Sequence, residues 1–167
     1  MAKDSFFIRG STTAPGGSYF ETAIDIGHVV DALGKTVMRI HNIAAQTFEV
    51  LGQDFSITGN STSNISWQLT TQSKTALVDA TDRSLIASGR LDVANASSTA
   101  NIWTAIAESA DVMPQHWTNG FLVGVDQLYL GVNVDNQLSS GTAVLVMECT
   151  SETLSQSAAM SLALSQQ

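Results

Sequence analysis

The side chains best suited to metal chemistry are the three histidines, His28, His41 and His116. They are widely separated, and no H-x-H or H-x-x-x-H pair places two of them on one face of a strand or helix. The sequence therefore predicts no metal site. His41 follows Arg39 at strand spacing, which favours a solvent-facing or interface position for the imidazole.

Motifs for covalent or cofactor chemistry are missing from the sequence. It contains no G-x-S-x-G nucleophile elbow, no phosphate-binding P-loop and no G-x-G-x-x-G dinucleotide fingerprint. The paired carboxylates Asp79 and Asp82 lie in a polar turn, where solvated acids are the usual case. We therefore expect a protein that is not an enzyme and that uses no cofactor.

The charges are unevenly distributed along the chain. All seven Lys and Arg residues lie at or before Arg90, and the formal net charge is −8. Binding to a phosphate backbone needs Lys or Arg, because these cations displace the condensed counterions. The candidate nucleic-acid contacts are Lys3, Arg9, Lys35 and Arg39. Because these four cations do not cluster in the sequence, we expect at most weak, nonspecific binding to nucleic acid.

Targeting signals and disulfide chemistry are equally sparse. The N-terminal apolar run is too short for a signal peptide, and no segment reaches the roughly 20 apolar residues of a membrane span. We expect a protein that is made and kept in a reducing cytoplasm unless lysis releases it. The single cysteine, Cys149, shares strand parity with Leu145 and Met147, which favours a buried thiol.

The elements that must position these residues are strands with a period of two. The clearest are residues 65–72, 87–93, 128–134 and 143–149, separated by turns rich in Gly, Asn, Asp and Ser. About eight such strands predict one all-β domain, an antiparallel β-sandwich. The more apolar parity of each strand predicts the inward-facing residues: Trp67, Leu69, Leu91, Leu130, Leu145 and Met147.

The two ends of the chain carry apolar residues outside the clearest strands. We expect residues 1–17 to form an N-terminal arm, residues 18–153 the sandwich, and residues 154–167 a short C-terminal extension that includes a helix. Exchanged termini are a common route to assembly. The apolar residues of both ends are therefore predicted subunit contacts: Phe6, Phe7, Ile8, Leu154, Leu162 and Leu164.

A long segment over residues 101–119 carries two tryptophans and is expected to be a loop with short helical turns. Its aromatic rings could stack on sugars, fill a gap over the sandwich or anchor a subunit contact, where Trp, Met and His are frequent. We favour the subunit contact for Trp103, Met113, His116 and Trp117.

Three segments resemble the strands of single jelly-roll capsid proteins from small icosahedral viruses. They are residues 36–43 (TVMRIHNI), like an early core strand, and residues 126–135 (DQLYLGVNVD) and 141–150 (GTAVLVMECT), like the last two. The resemblance implies a jelly roll of about eight strands. It also implies a structural virion protein that assembles with copies of itself, and with any other virion proteins, into an icosahedral shell around the genome.

One feature departs from that family. Many of its members condense the genome with an Arg/Lys-rich arm, whereas residues 1–17 carry only Lys3 and Arg9.

The alternative to a capsid protein is a lectin-like or receptor-binding β-sandwich that recognises carbohydrate through Trp103 and Trp117. The resemblance places the protein in virions, after synthesis in the host cytoplasm.

Overall fold

The computed structural model describes residues 4–31, 35–50, 61–95 and 105–166. In chain order the elements of these residues are β1 (Phe6–Pro15), β2 (Ser18–Asp25), β3 (Thr36–Val50), β4 (Ser61–Thr70), β5 (Leu85–Asn95), β6 (Ala105–Val112), a 3-10 turn (Pro114–His116), β7 (Phe121–Val123), β8 (Gln127–Val134), β9 (Ser140–Thr153) and α1 (Gln156–Ser165).

The strands form two antiparallel sheets. The first has the order β1-β9-β3-β7 and the second the order β2-β8-β4-β5-β6. Their inner faces enclose the hydrophobic core, in which Leu69, Leu130 and Met147 are fully buried. The predicted all-β antiparallel sandwich is confirmed.

The predicted inward-facing residues are also confirmed, since all six are buried. Along β9 the pattern alternates strictly from Ser140 to Cys149 between half-buried and buried residues, as expected for a strand with one face on the core. Cys149 lies on the buried parity, and burial raises the pKa of its thiol to about 12.

The prediction of an N-terminal arm is wrong for residues 6–15. They form β1, which pairs along its whole length with β9 of the same chain. Thr12 and Ala14 are buried, and Phe6 and Ile8 pack against the core. Small or polar residues interrupt the inward parity of β1 at Gly10 and Thr12, so the strand lacks the apolar alternation of its neighbours.

Gly10 is small because β1 crosses close to β2. A Cβ atom at this position would lie 2.5 Å from the Cδ1 atom of Ile24. The chain then turns between the two sheets at Gly17, whose φ of 75° favours glycine.

The prediction of a loop over residues 101–119 is wrong for Ala105–Val112, which is strand β6 at the edge of the second sheet. Ile106, Ala107 and Glu108 are all exposed. Because neither face of this segment is deeply buried, its sequence shows no clean alternation of apolar and polar residues.

The C-terminal segment docks on its own sandwich. Ser155 caps α1 by accepting a hydrogen bond from the Ala158 N–H, and Ala159 and Ala163 face inward. The buried Gln166 then accepts a 2.8 Å hydrogen bond from the Gly124 N–H through its side-chain oxygen.

The segment between β4 and β5 folds over the outer face of the second sheet. Gln68 on β4 is buried beneath it, donates to the Ala76 carbonyl at 2.9 Å and accepts from the Val78 N–H at 2.8 Å. An ion pair of 2.9 Å between Lys74 and Asp82 closes the segment. The second sheet is therefore covered on this part of its outer face.

Candidate subunit interface

The outer face of the first sheet combines residues from β1, β9 and β3 in four cross-strand rows. In register, the rows are Phe7–Glu148–Asn42, Arg9–Val146–Ala44, Ser11–Val144–Gln46 and Thr13–Thr142–Phe48. We call these twelve residues the outer face. A sheet face turned to water is normally polar, so its apolar side chains suggest contact with another protein surface.

Exposure supports this interpretation. Phe7 is 56% exposed and Phe48 49% exposed, at opposite corners of the outer face, and Val144 and Val146 between them are half-buried. Single exposed apolar residues are common, but contiguous apolar patches mark interaction sites.

The outer face is also close to electrically neutral. Arg9 and Glu148 are its only charged residues, in a chain with a net charge of −8. Acidic subunits repel one another over the Debye length of about 8–10 Å. Two copies can therefore bring a nearly neutral face together at a low electrostatic cost.

A polar depression borders the outer face at the Glu148 end. There the side chain of Asn42 donates to Glu148 at 2.7 Å, and a ring nitrogen of His41 lies 2.9 Å from the Thr150 hydroxyl. A β-bulge between Ile40 and Asn42 turns His41 towards this side. His41 thus borders the outer face.

The Arg39 guanidinium is held by hydrogen bonds within the subunit. It donates two hydrogen bonds to the Glu152 carboxylate, at 2.6 and 2.9 Å, and a third to the Asn119 carbonyl at 2.5 Å. The hydrogen bonds to Glu152 raise the pKa of Arg39. These bonds engage three of the five guanidinium N–H donors within the subunit, which disfavours the predicted nucleic-acid contact at Arg39.

The other described cationic contacts, Arg9 and Lys35, lie on different parts of the subunit. Arg9 lies on the outer face and Lys35 in the turn before β3, where its φ is 76°. Both side chains are exposed. Lys3 lies outside the described residues.

The segment after β6 carries three predicted subunit contacts, of which one is buried and two are exposed. Met113 is 5% exposed and belongs to the core, so the prediction of a subunit contact is wrong for this residue. His116 is exposed and Trp117 is 57% exposed, so both side chains remain available to a partner. Trp103 lies outside the described residues.

Gln115, which the sequence analysis did not single out, anchors this segment to β3. Its side-chain oxygen accepts from the Ile43 N–H at 3.1 Å, and its side-chain nitrogen donates to the Ile43 carbonyl at 3.0 Å. The amide thus copies the hydrogen bonding of a neighbouring strand just beyond the point where β7 pairs with β3. Covering an exposed strand edge in this way limits unwanted pairing with other chains.

Some of the predicted subunit contacts at the two ends of the chain are exposed, and others are partly buried within the subunit. Leu164 on α1 is 70% exposed, whereas Leu162 is half-buried with its side chain close to Gly124. Leu154 is half-buried beside Lys35, whose carbonyl accepts from the Leu154 N–H at 2.9 Å. On β1, Phe7 points outward while Phe6 and Ile8 point to the core.

Sequence reasoning missed five exposed apolar side chains: Phe20, Phe48, Leu77, Ile106 and Met160. Phe48 was detectable in principle, because it lies on the parity opposite to Ala45 and Thr47 in β3. Phe20 and Ile106 lie on the edge strands β2 and β6, where exposure depends on sheet order and not on local pattern.

The described residues include no group of three or more His, Cys, Asp and Glu side chains placed to hold a metal ion. Within the same part of the chain, no helix is both long and apolar enough to cross a membrane.

Comparisons with known proteins give no close relative. Neither protein-family profiles nor curated protein sequences match the chain. Similar solved structures include one of turnip yellow mosaic virus, with 10% identity and a TM-score of 0.28, covering 90% of this chain and 95% of that chain. Another, of desmodium yellow mottle tymovirus, has 10% identity and a TM-score of 0.29, covering 93% and 91%. Likenesses at this level assign the chain neither a family nor an activity.

Proposed function

We propose that the chain is a structural virion protein, a single jelly roll that assembles with copies of itself into a closed icosahedral shell around a genome. The observation that carries the self-association is the outer face, which exposes apolar side chains and is almost neutral in a strongly acidic chain. A second copy of the chain is the occupant with matching chemistry, since the same neutral surface is available on both partners.

The nesting of the strand pairs supports the jelly-roll part of the proposal. With β6 set aside, the first strand pairs with the last (β1 with β9), the second with the next to last (β2 with β8), and so on through β3 with β7 to β4 with β5. Rolling up one long hairpin produces this nested order, and two Greek keys in two sheets define the jelly roll. In this interpretation β6 is an extra strand added at the edge of the second sheet.

The fold alone does not decide the function, because jelly rolls serve capsids, lectins and cupin enzymes. The charge distribution favours a shell held by protein contacts. Arg39, Lys74 and Arg90 each pair with an acid in the same subunit, Glu152, Asp82 and Asp92 respectively. Few cations are left to hold a genome, so we propose that any nucleic-acid contact is weak and nonspecific.

The experiment is light scattering and negative-stain microscopy of the purified, nuclease-treated protein. Closed particles that persist after nuclease treatment are the expected result. A protein that remains monomeric at all concentrations, or particles that dissolve when nuclease is added, would overturn the proposal. The second result would show that nucleic acid, and not the outer face, holds the subunits together.

A further inference from the structure

A cavity of about 570 Å³ lies at one end of the sandwich, where the β2–β3, β4–β5 and β7–β8 connections meet α1. This volume is within the range of roughly 300–1,000 Å³ that is typical of small-molecule sites. The outer face does not contribute to the lining, so the cavity is separate from the candidate subunit interface.

Hydrogen bonds within the chain hold the helix side of the cavity in place. The Gln166 side chain bridges two groups of the β7 region, accepting from the Gly124 N–H at 2.8 Å and donating to the Leu122 carbonyl at 2.7 Å. The hydroxyl of Thr71, which itself lines the cavity, donates to the Gln166 carbonyl at 3.0 Å. Ala163 of α1 is part of the lining, so the C-terminal helix forms one wall of the cavity.

The charge of the lining disfavours anionic ligands. Asp126 contributes an exposed carboxylate, and the described lining residues include no Lys or Arg. The nearby Lys74 ammonium donates to Gln72 at 3.2 Å and to Asp82 at 2.9 Å, so it is directed to partners in its own loop. A phosphate, sulfate or carboxylate in the cavity would meet repulsion without a compensating cation.

Two side-chain amides in the lining each accept a hydrogen bond through the oxygen. The Tyr129 hydroxyl donates to the Gln127 oxygen at 3.0 Å, and Lys74 donates to the Gln72 oxygen. These bonds use the amide oxygens and not the NH₂ groups of Gln127 and Gln72, which can donate to a ligand. The lining therefore offers amide donors together with the Asp126 carboxylate as an acceptor.

A ligand hydroxyl matches this mixture, because it donates to a carboxylate and accepts from an amide NH₂ at the same time. A cation would leave the amide NH₂ donors unused, and an apolar ligand would leave both kinds of group unsatisfied. The half-buried Tyr129 ring adds an aromatic surface, of the kind that packs against the C–H face of a sugar.

We propose that this cavity binds a neutral polyhydroxylated ligand, a glycan without sialyl, sulfate or phosphate groups. The proposal goes beyond the shell function and does not rest on it. It also differs from the sequence-based alternative of a carbohydrate site at Trp103 and Trp117, since the structure places Trp117 outside the lining.

The first test is a glycan array probed with the purified protein, followed by titration calorimetry with the strongest neutral glycan. Neutral glycans should bind, and their sialylated or sulfated counterparts should not. Binding of acidic glycans alone, no glycan binding, or competition by 1,4-diaminobutane would each overturn the proposal.

The second test places the ligand with near-isosteric variants. Asp126→Asn removes an acceptor charge and Gln127→Glu replaces an amide donor with an acceptor. Both side chains are exposed, so the fold should survive. Each variant should weaken binding about tenfold or more, the size expected for one charge-assisted hydrogen bond.

The matched controls are Asp111→Asn on β6 and Gln137→Glu before β9, which make the same charge changes at exposed positions outside the cavity. They should bind like the unaltered protein. Equal affinity of the cavity variants and their controls would show that any glycan binds elsewhere, and would overturn the assignment even if the array is positive.

Discussion

Leu145 and Val144 are neighbours on β9 with side chains on opposite faces of the first sheet, so changing them one at a time separates folding from association. Leu145 is 1% exposed in the core, whereas Val144 is half-buried in the middle of the outer face, between Ser11 and Gln46. We compare Leu145→Ala with Val144→Asp.

The two changes should have opposite consequences. Leu145→Ala removes buried methyl groups and leaves a cavity, which costs about 2–5 kcal/mol of unfolding free energy. For a chain of this size that loss lowers the melting temperature by roughly 4–20 °C. Val144→Asp places a carboxylate where water still reaches it in the free subunit, so the subunit should keep its stability. Burying that carboxylate between subunits, with no cation in the same row, costs on the order of 3–5 kcal/mol per contact.

The assays are urea unfolding of the dissociated subunit and light scattering of the assembled protein. Leu145→Ala should unfold earlier but still associate at low temperature, and Val144→Asp should unfold normally but fail to associate. If Val144→Asp destabilises the subunit as much as Leu145→Ala, the strand register is wrong. If Val144→Asp assembles normally, the outer face is not a subunit interface. Val144→Thr, which keeps the shape without a charge, is the matched control.

Three further predictions concern the edge of β3, the loop over the second sheet and the net charge. Gln115→Ala should lower the unfolding free energy by about 1–3 kcal/mol and increase aggregation, because it leaves the N–H and carbonyl of Ile43 without their partners. Urea unfolding measures the loss of stability, and an unchanged midpoint would contradict the prediction. Hydrogen bonds from Ser84, with Lys74 as a second cause, lower the pKa of Asp82 to about 2. The stability that the Asp82 carboxylate contributes is therefore present above its unfolded pKa near 4 and is lost as the pH falls towards 2. In Asp82→Asn, the unfolding free energy should depend less on pH over this range. An equal slope of unfolding free energy against pH in both proteins would refute the assignment. Added salt, or a pH lowered towards the isoelectric point of about 4.5, should favour association of subunits that carry −8 charges; particles that fall apart as salt rises would instead indicate ionic contacts.

The sequence alone was sufficient to predict the β-sandwich and the residues of its core. Trp67 and Leu69 on β4, and Leu145 and Met147 on β9, alternate with polar or half-buried residues. That alternation is local, because successive side chains of a strand point to opposite faces whatever the rest of the chain does. The excess of acidic residues and the lack of Lys and Arg after Arg90 are also properties of the sequence itself. Both already disfavoured a nucleic-acid interface.

The candidate interface was only partly predictable. Phe7 and Trp117 were expected at the surface and are exposed, whereas Met113 was expected there and is buried. An apolar side chain carries no local sign of whether its partner is its own core or another subunit. Phe48 was missed for the converse reason, since its exposure depends on the outer face having no covering element in the described structure.

The tertiary structure decided which segments belong to the sandwich and where the cavity lies. Phe6–Pro15 could be an arm or a strand until β9 is seen to offer it a paired edge, and Ala105–Val112 becomes a strand only because β5 does the same. Both outcomes depend on hydrogen bonds between residues far apart in the chain. The cavity unites three connections and the C-terminal helix, held by Gln166, so no single stretch of sequence contains its chemistry. Local periodicity determines the strands, and long-range pairing determines what they enclose.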